Sequence, residues 1–399
     1  IGDADKAYDY TGATAAVYTS VGVDLTALVG RDVGGTPRLA TTTRFCYNDR
    51  PCPYQNAFWN GTETFFGQGW VTDDVVGHEW THGVIDRHSQ LFYWGQSGAI
   101  NESIADIIGE IVDHRYATPG DTPSDFRDGE DSPTGGHRDL KDPTVFNDPD
   151  TTQSSRWVYS NLGFTDNGGV HSNSGVGNKT WYLLAEGTTD LPGGTFNGQT
   201  ITGIDADDTF AKSAALYMLV IQSLSSGSSY QDLGLVLDQS CQSLIGTAGI
   251  TAANCAEVHK ATLATQLSQT PADAPLPPDA PATCPTGYGN QAVLFDSESG
   301  TPATSFVPNG GWQRAGDPYW GLNAKSGDAW NNARPFSGTA ETPASEVLVT
   351  SSGIPLPGGD RKSFLHFHSW YYLYDTTADV VYDGATVEVD NLGDANPPI

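Results

Sequence analysis

The run His78-Glu79-Trp80-Thr81-His82 constrains this chain more than any other feature. It lies inside a segment, Asp73 to His88, where Val75, Val76, Trp80, Val84 and Ile85 recur at helical spacing behind a Thr72 or Asp73 cap. Positions four apart share one helix face, so both imidazoles can reach a single divalent ion, with Glu79 projecting from the same turn. A second helical segment, Ala99 to Tyr116, has Ile100, Ile104, Ile107, Ile108 and Ile111 on its apolar side. It carries Glu102, after nineteen intervening residues. Packed antiparallel, the two helices would bring this carboxylate to the same ion. Two histidines and one glutamate leave a fourth position open, which is the donor set of a catalytic zinc site rather than a closed structural one. Asp106, one turn past Glu102, is placed to accept a hydrogen bond from a ligand histidine and fix its tautomer.

The charge balance narrows the field further. Against 48 Asp and Glu the chain has 19 Lys and Arg, a formal charge of −29. Phosphate contacts need a basic face, so nucleic acid and anionic membrane surfaces are poor partners. No apolar run approaches the roughly 18 residues of a membrane-spanning helix. The opening Ile1-Gly2-Asp3-Ala4-Asp5 has neither a basic start nor an apolar stretch, so it reads as no leader and is compatible with a mature form. The acidity serves solubility on one reading and the holding of divalent cations on another. The five cysteines favour an oxidising compartment: Cys46 and Cys52 could close a short loop around Pro51, Cys241 and Cys255 lie near the ends of two helical segments, and Cys284 is left over. A secreted, extracellular protein is expected.

The texture of the chain changes once. Residues 268–283, SQTPADAPLPPDAPAT, can form neither helix nor ladder and read as an extended spacer. Before it, residues 1–267 are mixed for about the first 70 positions, with strands at Phe58-Trp59 and Thr64-Phe65-Phe66 around an Asn60-Gly61 turn, then helical. Further helices are expected over 178–185, 207–224, 230–245 and 252–267. After the spacer, residues 284–399 hold alternating β-branched and aromatic runs at 291–295, 345–351, 362–374 and 378–389, the pattern of a β-sandwich. His366 and His368 share a strand face there. The fold class expected is α+β, followed by a β-sandwich accessory domain that is incomplete at its end.

Several longer segments resemble one family. Tyr54-Gln55-Asn56-Ala57-Phe58-Trp59-Asn60-Gly61, Asp74-Val75-Val76-Gly77-His78-Glu79-Trp80-Thr81-His82, Gly98-Ala99-Ile100-Asn101-Glu102 and Asp166-Asn167-Gly168-Gly169-Val170-His171-Ser172-Asn173-Ser174-Gly175 are similar, in this order, to the thermolysin-like zinc endopeptidases, and cover most of residues 1–267. Met218, the only methionine, is not in the Gly-x-Met-Glu-Asn motif that neighbouring aminopeptidases add. The resemblance implies a shortened β-rich N-terminal part, since only 77 residues precede His78, and a helical C-terminal part. It implies zinc on His78, His82 and Glu102, Glu79 as general base, His171 and Tyr93 as oxyanion donors, and Asp166 as the carboxylate that orients His171. Asn56 and Ala57 match an edge strand that pairs with the substrate backbone, and Arg138 matches the arginine that grips the carbonyl just after the cut.

The same resemblance implies one calcium ion held by Asp74, Glu110, Asp113, Asp125 and the Arg127 carbonyl, with Glu130 nearby. Arg127 stands where a second calcium site would need a carboxylate. Val75 matches an apolar pocket wall, whereas Ser132 and His137 stand where the family often has aliphatic residues; large apolar side chains after the cut are the family default. The C-terminal segment Val381 to Val389 is similar to jelly-roll modules appended to secreted metalloproteases, and three roles stay open for it: binding protein substrate, binding carbohydrate, or simply packing on the protease. The expected protein is thus a monomeric, secreted endopeptidase acting on proteins or peptides. The competing reading is an inactive protease fold that serves as an extracellular binding or adhesion module.

Overall fold

Two long helices cross at the centre of the molecule because two glycines let them. In the computed structural model, which describes residues 2–47, 51–116, 125–158, 166–205, 207–271 and the backbone of six later strands, a Cβ on Gly77 would lie 2.9 Å from the Cα of Gly109. These residues sit on α3 (Asp73–Arg87) and α4 (Gly95–Arg115). Acidic residues open α3 and basic ones close both helices, in keeping with the helix dipole. Almost every side chain of α4 up to Asp113 is buried. A third helix, α5 (Asp166–Ala185), lies against it, and Gly177 is needed there because a Cβ would stand 2.2 Å from Ser103 Oγ.

The elements before this centre are α1 (Asp3–Ser20), α2 (Leu25–Val29), β1 (Arg31–Asp32), β2 (Pro37–Arg38), β3 (Thr41–Thr43), β4 (Ala57–Trp59) and β5 (Thr64–Phe66). The sequence reading did not anticipate α1. Its threonines and Gly12 dilute the apolar stripe, and tertiary contacts hold it: Tyr18 Oη and Thr81 Oγ1 are 2.8 Å apart, and Trp80 Nε1 donates to Thr11 Oγ1 at 3.1 Å. The three-stranded sheet has the order β3-β5-β4, parallel between β3 and β5 and antiparallel between β5 and β4, so β4 is an edge.

After α4 come β6 (Arg127–Asp128), β7 (Arg138–Asp139), α6 (Ala211–Ser223), α7 (Tyr230–Ser243) and α8 (Ala252–Ala264). A disulfide between Cys241 and Cys255 ties α7 to α8, and a second joins Cys46 to Cys52. The helix expected at 178 begins earlier, on the far side of Gly168-Gly169. The one expected at 207 begins only at Ala211, because Asp207 closes a local turn onto Thr209 N at 3.0 Å and Phe210 is left-handed. No helix among the described residues is long and apolar enough to cross a membrane.

By its backbone the chain divides into two compact units, Ile1–Pro275 with Arg314–Ala329, and Leu276–Gln313 with Trp330–Ile399. The later strands are β8 (Phe306–Pro308), β9 (Gln313–Ala315), β10 (Ala329–Asn331), β11 (Leu348–Thr350), β12 (Asp375–Thr377) and β13 (Val380–Val381). They pair as β8 with β11, β9 with β10 and β12 with β13. β11 and β13 fall inside expected runs; the runs at 291–295 and 362–374, most of the 268–283 spacer, Cys284 and the sandwich as a whole lie outside the described residues.

Candidate metal centre and active site

The geometry around α3 and α4 begins with two tautomers. His78 Nδ1 lies 2.8 Å from Asp106 Oδ1, and His82 Nδ1 lies 2.8 Å from Asn101 Oδ1. Both acceptors are side-chain oxygens, so each ring gives its Nδ1 proton away and keeps its lone pair on Nε2. Those two Nε2 atoms are 2.9 Å apart, and Glu102 oxygens lie 3.5 and 3.4 Å from them. Two lone pairs and a carboxylate facing one point repel unless a cation lies between them. Donors at zinc distance in a tetrahedral set stand about 3.3 Å apart, so the spacing and the donor chemistry fit that ion. Without a metal, a proton takes the place. Burial would lower His78, but Asp106, Glu102 and Glu79 lift it to about 10, whereas burial leaves His82 at about 4. Metal binding therefore displaces a proton.

Glu79 is buried beside this point. Burial raises its carboxyl to about 7, and the Trp59 backbone N–H hydrogen-bonds to it. That N–H comes from the open side of β4. Asn56 O accepts from Gly67 N and Asn60 N donates to Glu63 O, so residues 56, 58 and 60 bond inward to β5 while 57 and 59 face outward. Trp59 is anchored by Nε1 donating to Asp86 Oδ2 at 2.7 Å, and its ring packs on Gly83, where a Cβ would come within 3.1 Å. Asn56 is exposed and Ala57 buried on its inner side.

Across the site, Tyr93 Oη donates to Glu102 and lies 3.1 Å from His171 Nε2. His171 Nδ1 bonds Asp166, whose other oxygen accepts from His171 N at 3.0 Å. Burial would lower His171, but Glu102 and Asp166 raise it. Asp166, Asn167, Gly168 and Gly169 are all left-handed, with φ of 58, 47, 79 and 82°. Only glycine, asparagine and aspartate enter that region at low cost, which is why this sequence can turn Asp166 back toward the ring of the helix it precedes. Gly169 has a further reason, since a Cβ there would sit 2.6 Å from Val158 Cβ.

Arg138 is 6% exposed: Nε and Nη2 grip Asp106 at 2.7 and 2.6 Å, and Nη2 also reaches Asp128 Oδ2 at 2.8 Å. Among the described residues Nη1 has no partner. Asp128 also takes His137 Nε2 at 2.8 Å and lies within 4.8 Å of His78. Sequence reasoning missed Asp128 and Asn101. The signal for Asp128 was its place opposite Arg138 in the β6–β7 hairpin between Gly129 and Gly136.

Further along α4, Glu110 and Asp113 come together with His114. His114 Nε2 donates to the Asp125 carbonyl at 2.9 Å, so that nitrogen is not a free donor atom for a cation. Burial, then Asp74, Asp128 and Asp125, push Glu110 well above the carboxylate range, and burial with Asp74 and Glu110 takes Glu130 to about 11. Asp74, under burial and Asp128, stands at about 6. Arg127 turns away to Asp139 at 3.4 Å and is 45% exposed. These hard oxygen donors, with no Lys or Arg on them among the described residues and only His114 beside Glu110 at 3.3 Å, fit a calcium ion.

Residues 38–86 match the family model for the thermolysin metallopeptidase catalytic domain, and residues 89–264 that for the thermolysin metallopeptidase alpha-helical domain. The two take in more than half of the chain, which belongs to the thermolysin metallopeptidase family, with a small β-containing N-terminal part and a helical C-terminal part. It is 38% identical over 275 residues to a zinc metalloproteinase of Renibacterium salmoninarum, covering 65% of this chain and 48% of that protein. It is 43% identical over 169 residues to a bacillolysin of Brevibacillus brevis, covering 39% and 28% respectively. The chain spans about half or less of the length of these relatives. A solved structure, the precursor of protealysin, a metalloproteinase from Serratia proteamaculans, overlays with a TM-score of 0.48 at 23% identity, over 66% of this chain and 78% of that one, too loosely to add to the assignment.

Proposed function

We propose that this chain is a zinc-dependent endopeptidase that hydrolyses internal peptide bonds of proteins or peptides. The observation that carries the reading is the pair of imidazoles whose Nδ1 protons go to Asp106 and Asn101, leaving both Nε2 lone pairs facing Glu102. His78, His82 and Glu102 hold the ion. When bound, zinc polarises the substrate carbonyl and makes a nearby water more acidic. Glu79 takes the proton of the attacking water and hands it to the leaving amine, a role its elevated pKa of about 7 suits. Tyr93 and His171 donate to the developing oxyanion, each worth about 2.7–4 kcal/mol in the transition state. Asp166 keeps His171 charged and turned inward. An extended peptide adds to the open edge of β4, bonding the Ala57 backbone and the Asn56 side chain, which recognises main chain rather than sequence. Arg138 offers Nη1 to the carbonyl after the cut.

A single calcium ion on Asp74, Glu110, Asp113, Asp125 and the Arg127 carbonyl stabilises the far end of α4. Residues 1–267 form the protease, 268–283 a spacer, and 284–399 a β-sandwich that takes a carbohydrate or protein ligand. The protein acts outside the cell as a monomer, and its two disulfides agree with an oxidising compartment. Casein hydrolysis with 1,10-phenanthroline and zinc add-back tests the reading: cleavage stops with the chelator and returns with zinc. Glu79→Gln keeps its zinc and loses a factor of about 10²–10⁴ in kcat. Chelator-insensitive cleavage, or an active Glu79→Gln variant, overturns it.

A further inference from the structure

The outward face of the β3-β5-β4 sheet is aromatic where a solvated face would be polar. Ala57 and Phe66, at 5% and 0% exposure, turn into the core. Phe58 and Phe65, opposite each other across the strand pair, turn outward with rings stacked at 4.8 Å and 3°. Phe45, just past β3, meets them edge-on at 5.4 and 5.1 Å. Tyr47 stacks on Phe58 at 6.3 Å and Tyr54 meets it edge-on at 5.9 Å. The three added rings flank the Cys46–Cys52 disulfide in sequence, Phe45 and Tyr47 beside Cys46 and Tyr54 two residues past Cys52. All five rings are half-buried. The Phe58 ring is therefore enclosed by four others.

Its chain neighbours carry the working edge of the strand. Ala57 presents its backbone on the open side, and Trp59 gives its N–H to Glu79. Side chains alternate along a strand, so a rotation of β4 that released Phe58 would swing both neighbours. The sheet is only three strands wide, and so small a sheet needs packing on a face to be stable. Here the inner face has α3 and the outer face has the Phe45, Tyr47 and Tyr54 rings.

We infer that the rings of Phe45, Tyr47 and Tyr54, tied together by the Cys46–Cys52 disulfide, are a positioning device, which clamps Phe58 so that Ala57 and Trp59 stay in the register an extended peptide needs. The inference rests on the protease reading only for what lies along the edge. The test compares Cys46→Ser/Cys52→Ser, Phe45→Ala, Phe45→Leu and Phe45→Tyr with the parent protein. The readouts are KM and kcat for an internally quenched heptapeptide and zinc content. Calorimetric Kd for an uncleaved heptapeptide is measured with Glu79→Gln in every form. Removing the bridge or the Phe45 ring raises KM and Kd about five-fold, the factor an ordinary aromatic pair corresponds to. It leaves zinc unchanged and lowers kcat by less than it raises Kd, the kcat share coming from the displaced Trp59 N–H on Glu79. Phe45→Tyr restores the parent values. Phe45→Leu, which keeps the bridge and the fold, weakens binding in the same sense. Unchanged KM and Kd, or a fall in kcat together with zinc loss at unchanged Kd, overturns the inference. If the parent cleaves nothing, the protease reading fails by itself. The Kd comparison still decides the inference: weaker binding in the variants supports it, and equal binding overturns it.

Discussion

The two ends of α4 are buried alike, but their carboxyls are shifted in opposite senses. Near the start, Glu102 and Asp106 are both 0% exposed. Burial would raise Glu102, but His171, His82 and His78 bring it down to about 2. Arg138 outweighs burial at Asp106 in the same way. Two turns on, Glu110 is 2% exposed and Asp113 4%, and there Glu110 is driven well above the ordinary range. Burial does not decide the charge of these carboxylates; a fixed cation beside them does. One end has Arg138 and the histidines. The other has acids from α3, α4 and the β6 region; Arg115 donates to Thr209 O and Ser20 Oγ, Arg127 reaches Asp139, and among the described residues only His114 lies against Glu110, at 3.3 Å.

The strongest way to break this comparison is to remove the fixed cation. Arg138→Met leaves Asp106 and Asp128 buried without the guanidinium between them, with only His78, Asn178 and His137, among the described residues, still bonded to them. Loss of one member of a buried pair costs about 3–5 kcal/mol, measured by denaturant unfolding of the zinc-loaded protein. A cost below about 1 kcal/mol, the value of a surface pair, would mean that the start of α4 is not held by charge compensation.

The cluster of His78, His82 and Glu102 was legible in the sequence because helical period places these residues and Asp106, and no tertiary information is needed beyond two helices crossing. What lies around it was not. Asn101 fixes a tautomer only because α4 crosses α3 at Gly77 and Gly109, which depends on interhelical distance rather than on spacing. The Asp128–Arg138 contact depends on hairpin register. The left-handed turn at Asp166–Gly169 is written in residue types that tolerate φ > 0, but the direction in which it aims Asp166 is a property of the folded backbone. The helix α1 is specified by what it packs on, Thr81 and Trp80, more than by its own pattern.

At the far end of α4 the comparison is sharpened by supplying the cation. Unfolded glutamate titrates near 4.3. In the cation-free fold Glu130 stands at about 11 and Asp74 at about 6. An acid whose folded pKa is raised adds stability below the unfolded value and loses it as pH rises toward the folded one. The melting temperature in EGTA therefore falls steadily from pH 5 to 9, the Asp74 share being spent by about pH 6. With calcium present the fall disappears, since the ion binds the ionised form. A melting temperature equally flat in EGTA and in calcium would show that the cluster is neither ionised against burial nor a cation site.

The smallest effect has the most informative sign. Glu110→Gln replaces a carboxyl held neutral by burial and its acidic neighbours with a permanently neutral amide of nearly the same shape. In EGTA at pH 8 the parent must keep a proton on Glu110 that the unfolded chain has already lost, whereas the variant has no such cost and melts higher. The gain shrinks as pH falls toward the unfolded pKa. In calcium the same change removes a charged oxygen from the ion, and the variant melts lower. Each shift is about 1 kcal/mol, or about 2–4 °C for a domain of this size. Opposite signs in the two buffers locate the difference between the ends of α4 in the external cation. The same sign in both would place it in packing around Glu110, and the electrostatic contrast along the helix would then be incidental.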